Sequence, residues 1–171
     1  MEDPQARTVM TRNVATVRED LPIKNLIKMV KERRYSGFPV VDEQGSAIGL
    51  VSQNDVLRAL AYYQVTEGEE PLEGFEEGKR KAAARLLEAD RGPGADPGPV
   101  SLHDLLVQPV SSVMTHTLRA CIEETPLSRV CAIMAESHIR RVVVLGDGGR
   151  VAGIITATDL VQYFARAMKA K

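Results

Sequence analysis

A chain of 171 residues, 44% hydrophobic and 26% charged, has the make-up of a globular protein with one substantial core, or of two small domains sharing one. A formal net charge of −1 excludes an overall basic field for nucleic acid, and no apolar run approaches the length of a bilayer span. The start, MEDPQARTVMTRN, lacks the apolar stretch of a secretory signal, so a cytoplasmic protein without a membrane segment is expected.

In chain order, an extended piece at Val14–Val17 leads to Asp20-Leu21-Pro22, a helix start with a capping side chain and a proline whose missing N–H costs nothing in the first turn. Ile23, Leu26, Ile27 and Val30 then share one helical face. A strand over Phe38–Val41, a turn at Glu43-Gln44-Gly45 and a second apolar strand ending at Val51 follow. The next helix carries Val56, Leu57 and Leu60. Residues 64–108 read differently, with an acidic front (EGEEPLEGFEE) and a basic middle (KRKAAARLLEADR). That polarity suits a helix through its dipole, with Phe75, Ala82, Leu86 and Leu87 as its apolar stripe. GPGADPGP breaks it, and Ser101–Val107 forms a short helix.

After the insertion the pattern starts again. Shifted by 104 positions, residues 9–60 lie over 113–164 without a gap, with ten identities in 52 positions. Those identities include Pro22 on Pro126, Gly45 on Gly149, Gly49 on Gly153 and Asp55 on Asp159, so turns and helix starts stay in register. The second copy has an extended piece at Leu118–Ile122, a helix with Leu127, Val130, Cys131 and Met134, and a strand over Val142–Leu145. A turn at Asp147-Gly148-Gly149, a strand ending at Ile155 and a helix with Leu160, Val161 and Phe164 complete it. The expected unit is β-α-β-β-α, twice. Cys121 and Cys131 fit neither a zinc nor a redox spacing and read as small core residues.

GLVSQND (49–55) and GIITATD (153–159) stand where a strand hands over to a helix. A hydroxyl followed three residues later by a carboxylate resembles a capping box, worth about 1 kcal/mol with no ligand at all. His103, His116 and His138 lack the i, i+4 spacing of a metal site, and His138 reads as a surface residue near two arginines. No Walker loop, nucleophile elbow or clustered acid pair appears, so neither catalysis nor a required cofactor is expected.

VMTRNVATV, YSGFPVVDEQGSAIGLVSQNDVL and their second-copy counterparts resemble cystathionine-β-synthase (CBS) domains, and two in tandem resemble the Bateman module. The resemblance implies an α/β fold: CBS domain 1 over 5–63, a helical insertion over 64–108, and CBS domain 2 over 109–168. It further implies a pseudo-twofold relation between the two units and clefts that hold adenine nucleotides or adenosyl ligands such as AMP, ADP, ATP or S-adenosylmethionine. A homodimer and a regulated partner protein belong to the same implication. In the family, residues at Ser52 and Thr156 contact phosphate and those at Asp55 and Asp159 contact ribose. By matching position, Ala15, Ser36, Gly37 and Phe38 would line one pocket and Arg119, Arg140, Arg141 and Val142 the other, while Thr11 and Thr115 match the family's entry loops.

Those residue types suit the chemistry. A helix N-terminus attracts phosphate, an ionised carboxylate accepts from a diol, and an arginine fork binds phosphate oxygens. The first copy has Ser36-Gly37 where the second has Arg140-Arg141, so two sites of unequal charge are expected; Arg33 and Arg34 fall upstream, at a helix end. Beside a nucleotide-sensing module stand an interaction scaffold whose motifs only cap helices, an enzyme using the insertion, and nucleic-acid binding through the KRK run.

Overall fold

The computed structural model describes residues 3–33, 35–66 and 102–169. The helix expected around Phe75–Leu87, the KRK run and Arg34 lie outside the described residues.

The first repeat runs β2 (Val17–Arg18), α1 (Ile23–Arg33), β3 (Gly37–Val41), β4 (Ala47–Ser52) and α2 (Gln53–Thr66). Ahead of it stand a 3-10 turn at Ala6–Thr8 and a two-residue strand, β1 (Thr11–Arg12). Helix α3 (Leu102–Val107) and a 3-10 turn at Val110–Ser112 lead to the second repeat. That repeat runs β5 (Ala120–Ile122), α4 (Leu127–Glu136), β6 (Arg141–Leu145), β7 (Val151–Thr156) and α5 (Ala157–Lys169). The expected β-α-β-β-α order is present twice. The strands opening the repeats are shorter than expected, and β1 is an addition too short to show a period.

One sheet has the order β2-β3-β4 and the other β1-β7-β6-β5. Both have their most apolar strand inside: β3 buries Phe38-Pro39-Val40 and β6 buries Val142-Val143-Val144. β5 runs parallel to β6, which requires the crossover that α4 supplies, while β6 and β7 form an antiparallel hairpin. At the two hairpin turns Gly45 and Gly149 have φ of +82° and +73°, a region where a Cβ is unfavourable.

The chain packs into two compact units that do not follow the order of the repeats. One contains Met1–Thr16, Val41–Gly49 and His116–Lys171; the other contains Val17–Val40 and Leu50–Thr115. Each therefore holds most of one repeat together with the entry segment of the other. In the first unit β1 pairs with β7, Thr11 opposite Ile154, and in the second Thr115 bridges Leu50. The Ala6 N–H donates to the Thr125 carbonyl at 2.8 Å, and the Val110 N–H to the Leu21 carbonyl at 2.8 Å. Gln5 bridges Pro126 just as Pro109 bridges Pro22. All these contacts recur 104 residues along with the two roles exchanged.

The exchange explains one departure from the sequence expectation. Asp20 and Thr125 do not cap the helices that follow them. The Leu127 N–H donates to the Pro4 carbonyl at 2.7 Å and the Ile23 N–H to the Gln108 carbonyl at 2.9 Å, so an entry segment fills each helix end. Asp3 adds its carboxylate to the Ser128 hydroxyl and N–H. Asp20 instead pairs with Arg18 at 3.0 and 2.9 Å, a hydrogen bond that holds its carboxyl below the usual range. The Thr125 hydroxyl oxygen accepts the Ile122 N–H.

The core of the first unit gathers Ala6, Met10, Leu127, Val130, Met134, Val142, Val144 and Ile155. In the second unit Ile23, Leu26, Phe38, Val40, Val51 and Val110 are buried, as is Leu105 on α3, which packs against α1 and α2. Each such aliphatic side chain contributes about 1.5–3 kcal/mol by leaving water. Cys121 is buried and Cys131 half-buried, both free thiols; burial pushes the Cys121 thiol up, against a smaller lowering by Thr125.

Candidate functional site

Helices α2 and α5 begin directly at the ends of β4 and β7, so Ser52 and Thr156 occupy their N-cap positions and Asp55 and Asp159 the third helical position. The Ser52 N–H donates to Asp55 Oδ2 at 2.7 Å and its hydroxyl to the same oxygen at 2.6 Å. Thr156 repeats this on Asp159 Oδ2 at 2.8 and 2.6 Å. The Asp159 N–H points back to Thr156 Oγ1 at 3.3 Å, closing the reciprocal capping box. The second motif is thus a complete capping box, and the first forms its carboxylate half, Asp55 on the Ser52 N–H.

Each carboxylate keeps a second oxygen, and there the repeats differ. Asp55 is 5% exposed and its Oδ1 receives the guanidinium of Arg58, one helical turn on. The residue 104 positions after Arg58 is Gln162. Asp159 is half-buried, and no cationic side chain pairs with it among the described residues. Sequence analysis overlooked Arg58. Its signal was the i, i+3 spacing of Asp and Arg on one helix, a pair that meets on the helix surface.

Around the start of α5 the four-stranded sheet assembles several expected site residues. Arg141 lies opposite Thr156 in the β6–β7 ladder, and the Arg140 carbonyl accepts the Ala157 N–H at 2.9 Å. Val142 is buried behind them, while Arg140 and Arg119 are exposed. The Arg119 carbonyl accepts the Val143 N–H at 3.4 Å, and Thr11 pairs two residues before Thr156. Around the start of α2 the same positions hold other chemistry. The Ser36 carbonyl accepts the Gln53 N–H at 3.1 Å, Gly37 opens β3, Phe38 is buried with Tyr35 edge-on to its ring, and Thr115 bridges Leu50. Ala15 is half-buried in the extended segment after β1.

Gly153 permits this construction. A Cβ there would lie 2.8 Å from Met10 Sδ and 2.9 Å from the Thr11 carbonyl, so β1 reaches β7 only because position 153 has no side chain. His138 is exposed in the turn before β6 with φ of +52°, and His103 and His116 are exposed as well. No group of His, Cys, Asp and Glu suited to a metal occurs among the described residues, and none of their helices is long and apolar enough to cross a membrane.

This arrangement has parallels in other proteins. The CBS domain family matches residues 6–62 and 110–166. An uncharacterized protein of Methanocaldococcus jannaschii, MJ1426, is 25% identical over 153 residues, covering 85% of this chain and 83% of that one. The chloroplastic CBS domain-containing protein CBSX1 of Arabidopsis thaliana is 25% identical over 169 residues, with 93% of this chain and 65% of that one covered. The protein MK0525 of Methanopyrus kandleri matches more locally, at 33% identity over 72 residues, so this chain spans only 36% of its length. Among solved structures, CBSX2 in complex with AMP superposes with a TM-score of 0.67 at 17% identity, over 96% of this chain and 98% of that one. The CBS domain pair of MJ0100 in complex with 5′-methylthioadenosine and S-adenosyl-L-methionine gives 0.66 at 18%, over 97% and 99%. Identities this low speak for the fold alone. With two family matches that together cover most of its length, the chain belongs to the CBS-domain family as a tandem pair.

Proposed function

We propose that this chain is a regulatory CBS pair that binds an adenine nucleotide or adenosyl ligand and signals the bound state to a partner protein. The supporting observation is the start of α5. There an acceptor carboxylate (Asp159) and a hydroxyl (Thr156) stand at a helix N-terminus, beside a strand that opens with Arg141 and is preceded by Arg140. Such a set suits a ribose diol and a phosphate together: the carboxylate accepts both hydroxyls, while the N–H groups and guanidinium forks take the anion. The complexes of CBSX2 with AMP and of the MJ0100 pair with adenosyl compounds supply the ligand class. On this reading Ser52, Asp55, Thr11, Thr115, Ala15, Ser36–Phe38, Arg119 and Val142 complete the ligand contacts, no covalent chemistry takes place, and the chain works as a cytoplasmic homodimer. Ligand changes the signal only in so far as the two states of the protein bind it unequally.

A second reading has an observation of its own. At both helix starts the hydroxyl and N–H find their acceptor within the motif, and Asp55 accepts with both of its oxygens, from Ser52 and Arg58. A scaffold that uses the pair only for dimerisation would need nothing more. Calorimetric titration of ligand-stripped protein with AMP, ATP, S-adenosylmethionine and NAD separates the two readings. Binding by at least one of them, weakened tenfold or more in a folded Asp159→Ala variant, is the expected result. No heat from any ligand, with the variant merely less stable, would leave the scaffold.

A further inference from the structure

Resting on the nucleotide-binding reading, we infer that Arg58 acts as a built-in competitor at the first repeat, holding the Asp55 carboxylate so that nucleotide goes first to the centre built on Asp159. Three observations lead there. Asp55 and Asp159 are equivalent by the duplication and share the same hydroxyl and N–H donors through Oδ2. The oxygen left over, Oδ1, is the one a ribose diol needs. On Asp55 it is taken by Arg58, and the carboxylate is only 5% exposed. On Asp159 the equivalent residue is the neutral Gln162, and the carboxylate is more open.

The strand beside each helix start works in the same direction. Arg140 and Arg141 flank the second-repeat start, where the first repeat has Ser36 and Gly37. In the second repeat the cations are Arg141, on the strand, and Arg140, just ahead of it, where they add to the attraction for a phosphate and leave the carboxylate accepting. In the first repeat the cation lies on the helix and consumes the acceptor. A guanidinium donates to a carboxylate but cannot accept from it, so Arg58 and a diol compete for the same lone pairs. Its side chain is 63% exposed, so the grip is modest and displacement is feasible. Because the carboxylate end of the pair is buried, the expected penalty is that of one hydrogen bond to a charged group, about tenfold in affinity.

The test exchanges the two residues in the full-length chain, Arg58→Gln and Gln162→Arg, with AMP as the probe. In wild type one equivalent of AMP binds per chain, with a second that is at least about tenfold weaker. Arg58→Gln tightens that weaker event about tenfold, although removing a cation ordinarily weakens an anion's binding. Gln162→Arg, with an unchanged circular-dichroism melt, weakens the tight event by a similar factor. Two equal AMP equivalents in wild type that neither exchange alters would overturn the role of Arg58 and leave nucleotide binding standing. A wild-type chain and two folded variants that bind no AMP, ATP or S-adenosylmethionine would overturn both.

Discussion

The starts of α2 and α5 use the same hydroxyl and carboxylate for the same backbone task and place their arginines differently. In the first repeat the cation is Arg58, in the helix and on the carboxylate; in the second it is Arg141, on the neighbouring strand, with Arg140 just ahead of it. The backbone task accounts for what the copies share, because a helix end needs its N–H groups satisfied whether or not a ligand is present. It places no demand on the cations, so these are where the copies have been free to diverge. The shared residues therefore meet a need of the fold whatever else they touch, and the differing ones set the charge around each helix start.

Changes placed at equivalent positions sharpen that contrast, and the core should show none of it. Ile23 and Leu127 are equivalent and fully buried at the first turns of α1 and α4. Ile23→Ala and Leu127→Ala should each cost about 2–5 kcal/mol in urea unfolding. A loss in one repeat several-fold larger than in the other would mean the units do not share one architecture. Next in size, Gly153→Ala forces a Cβ against the Thr11 carbonyl and should cost about 1–3 kcal/mol. At about 2–4 °C per kcal/mol for a chain this long, the shift is readily seen in a thermal melt. An unchanged melt would show that β1 does not depend on β7.

The caps should show the smallest effect and the clearest asymmetry. Thr156→Ala removes the hydroxyl from a carboxylate that pairs with no cation among the described residues, and should cost about 1–2 kcal/mol. Ser52→Ala leaves Asp55 still holding the Ser52-position N–H and Arg58, and should cost less, about 0.5–1 kcal/mol. Equal losses would indicate that Arg58 contributes nothing to the first start.

How far these features were legible in the sequence depends on their range along the chain. The β-α-β-β-α order, the glycine turns and the capping boxes were legible because each is decided within a few residues, by period, by a positive φ or by an i, i+3 spacing. The duplication carried that certainty from one copy to the other. What stayed hidden was the ownership of the ends. Asp20-Leu21-Pro22 has every local mark of a capped helix start, yet the group that fills it is the carbonyl of Gln108, far along the chain. β1, two residues long, has no period to detect and exists because Gly153 leaves room for it. Of the candidate site, the placement at two equivalent helix starts was legible, since Ser52, Asp55, Thr156 and Asp159 share one motif. Arg58 was overlooked because an exposed arginine on a helix has the pattern of a solvated face.

The reciprocal entry segments also bear on how such a chain comes into being. Gln5 meets Pro126 and Pro22 meets Pro109, so neither unit can be completed by one contiguous half of the chain. On the ribosome the N-terminal segment therefore has to wait, unpaired, until the second repeat has emerged, and its closure spans most of the polypeptide. The pattern is also the one left when two one-repeat chains that had swapped their leading strands become joined end to end. On that route the joining segment brings α3 with it, whose Leu105 is buried against α1 and α2, so it had to supply structure as well as length.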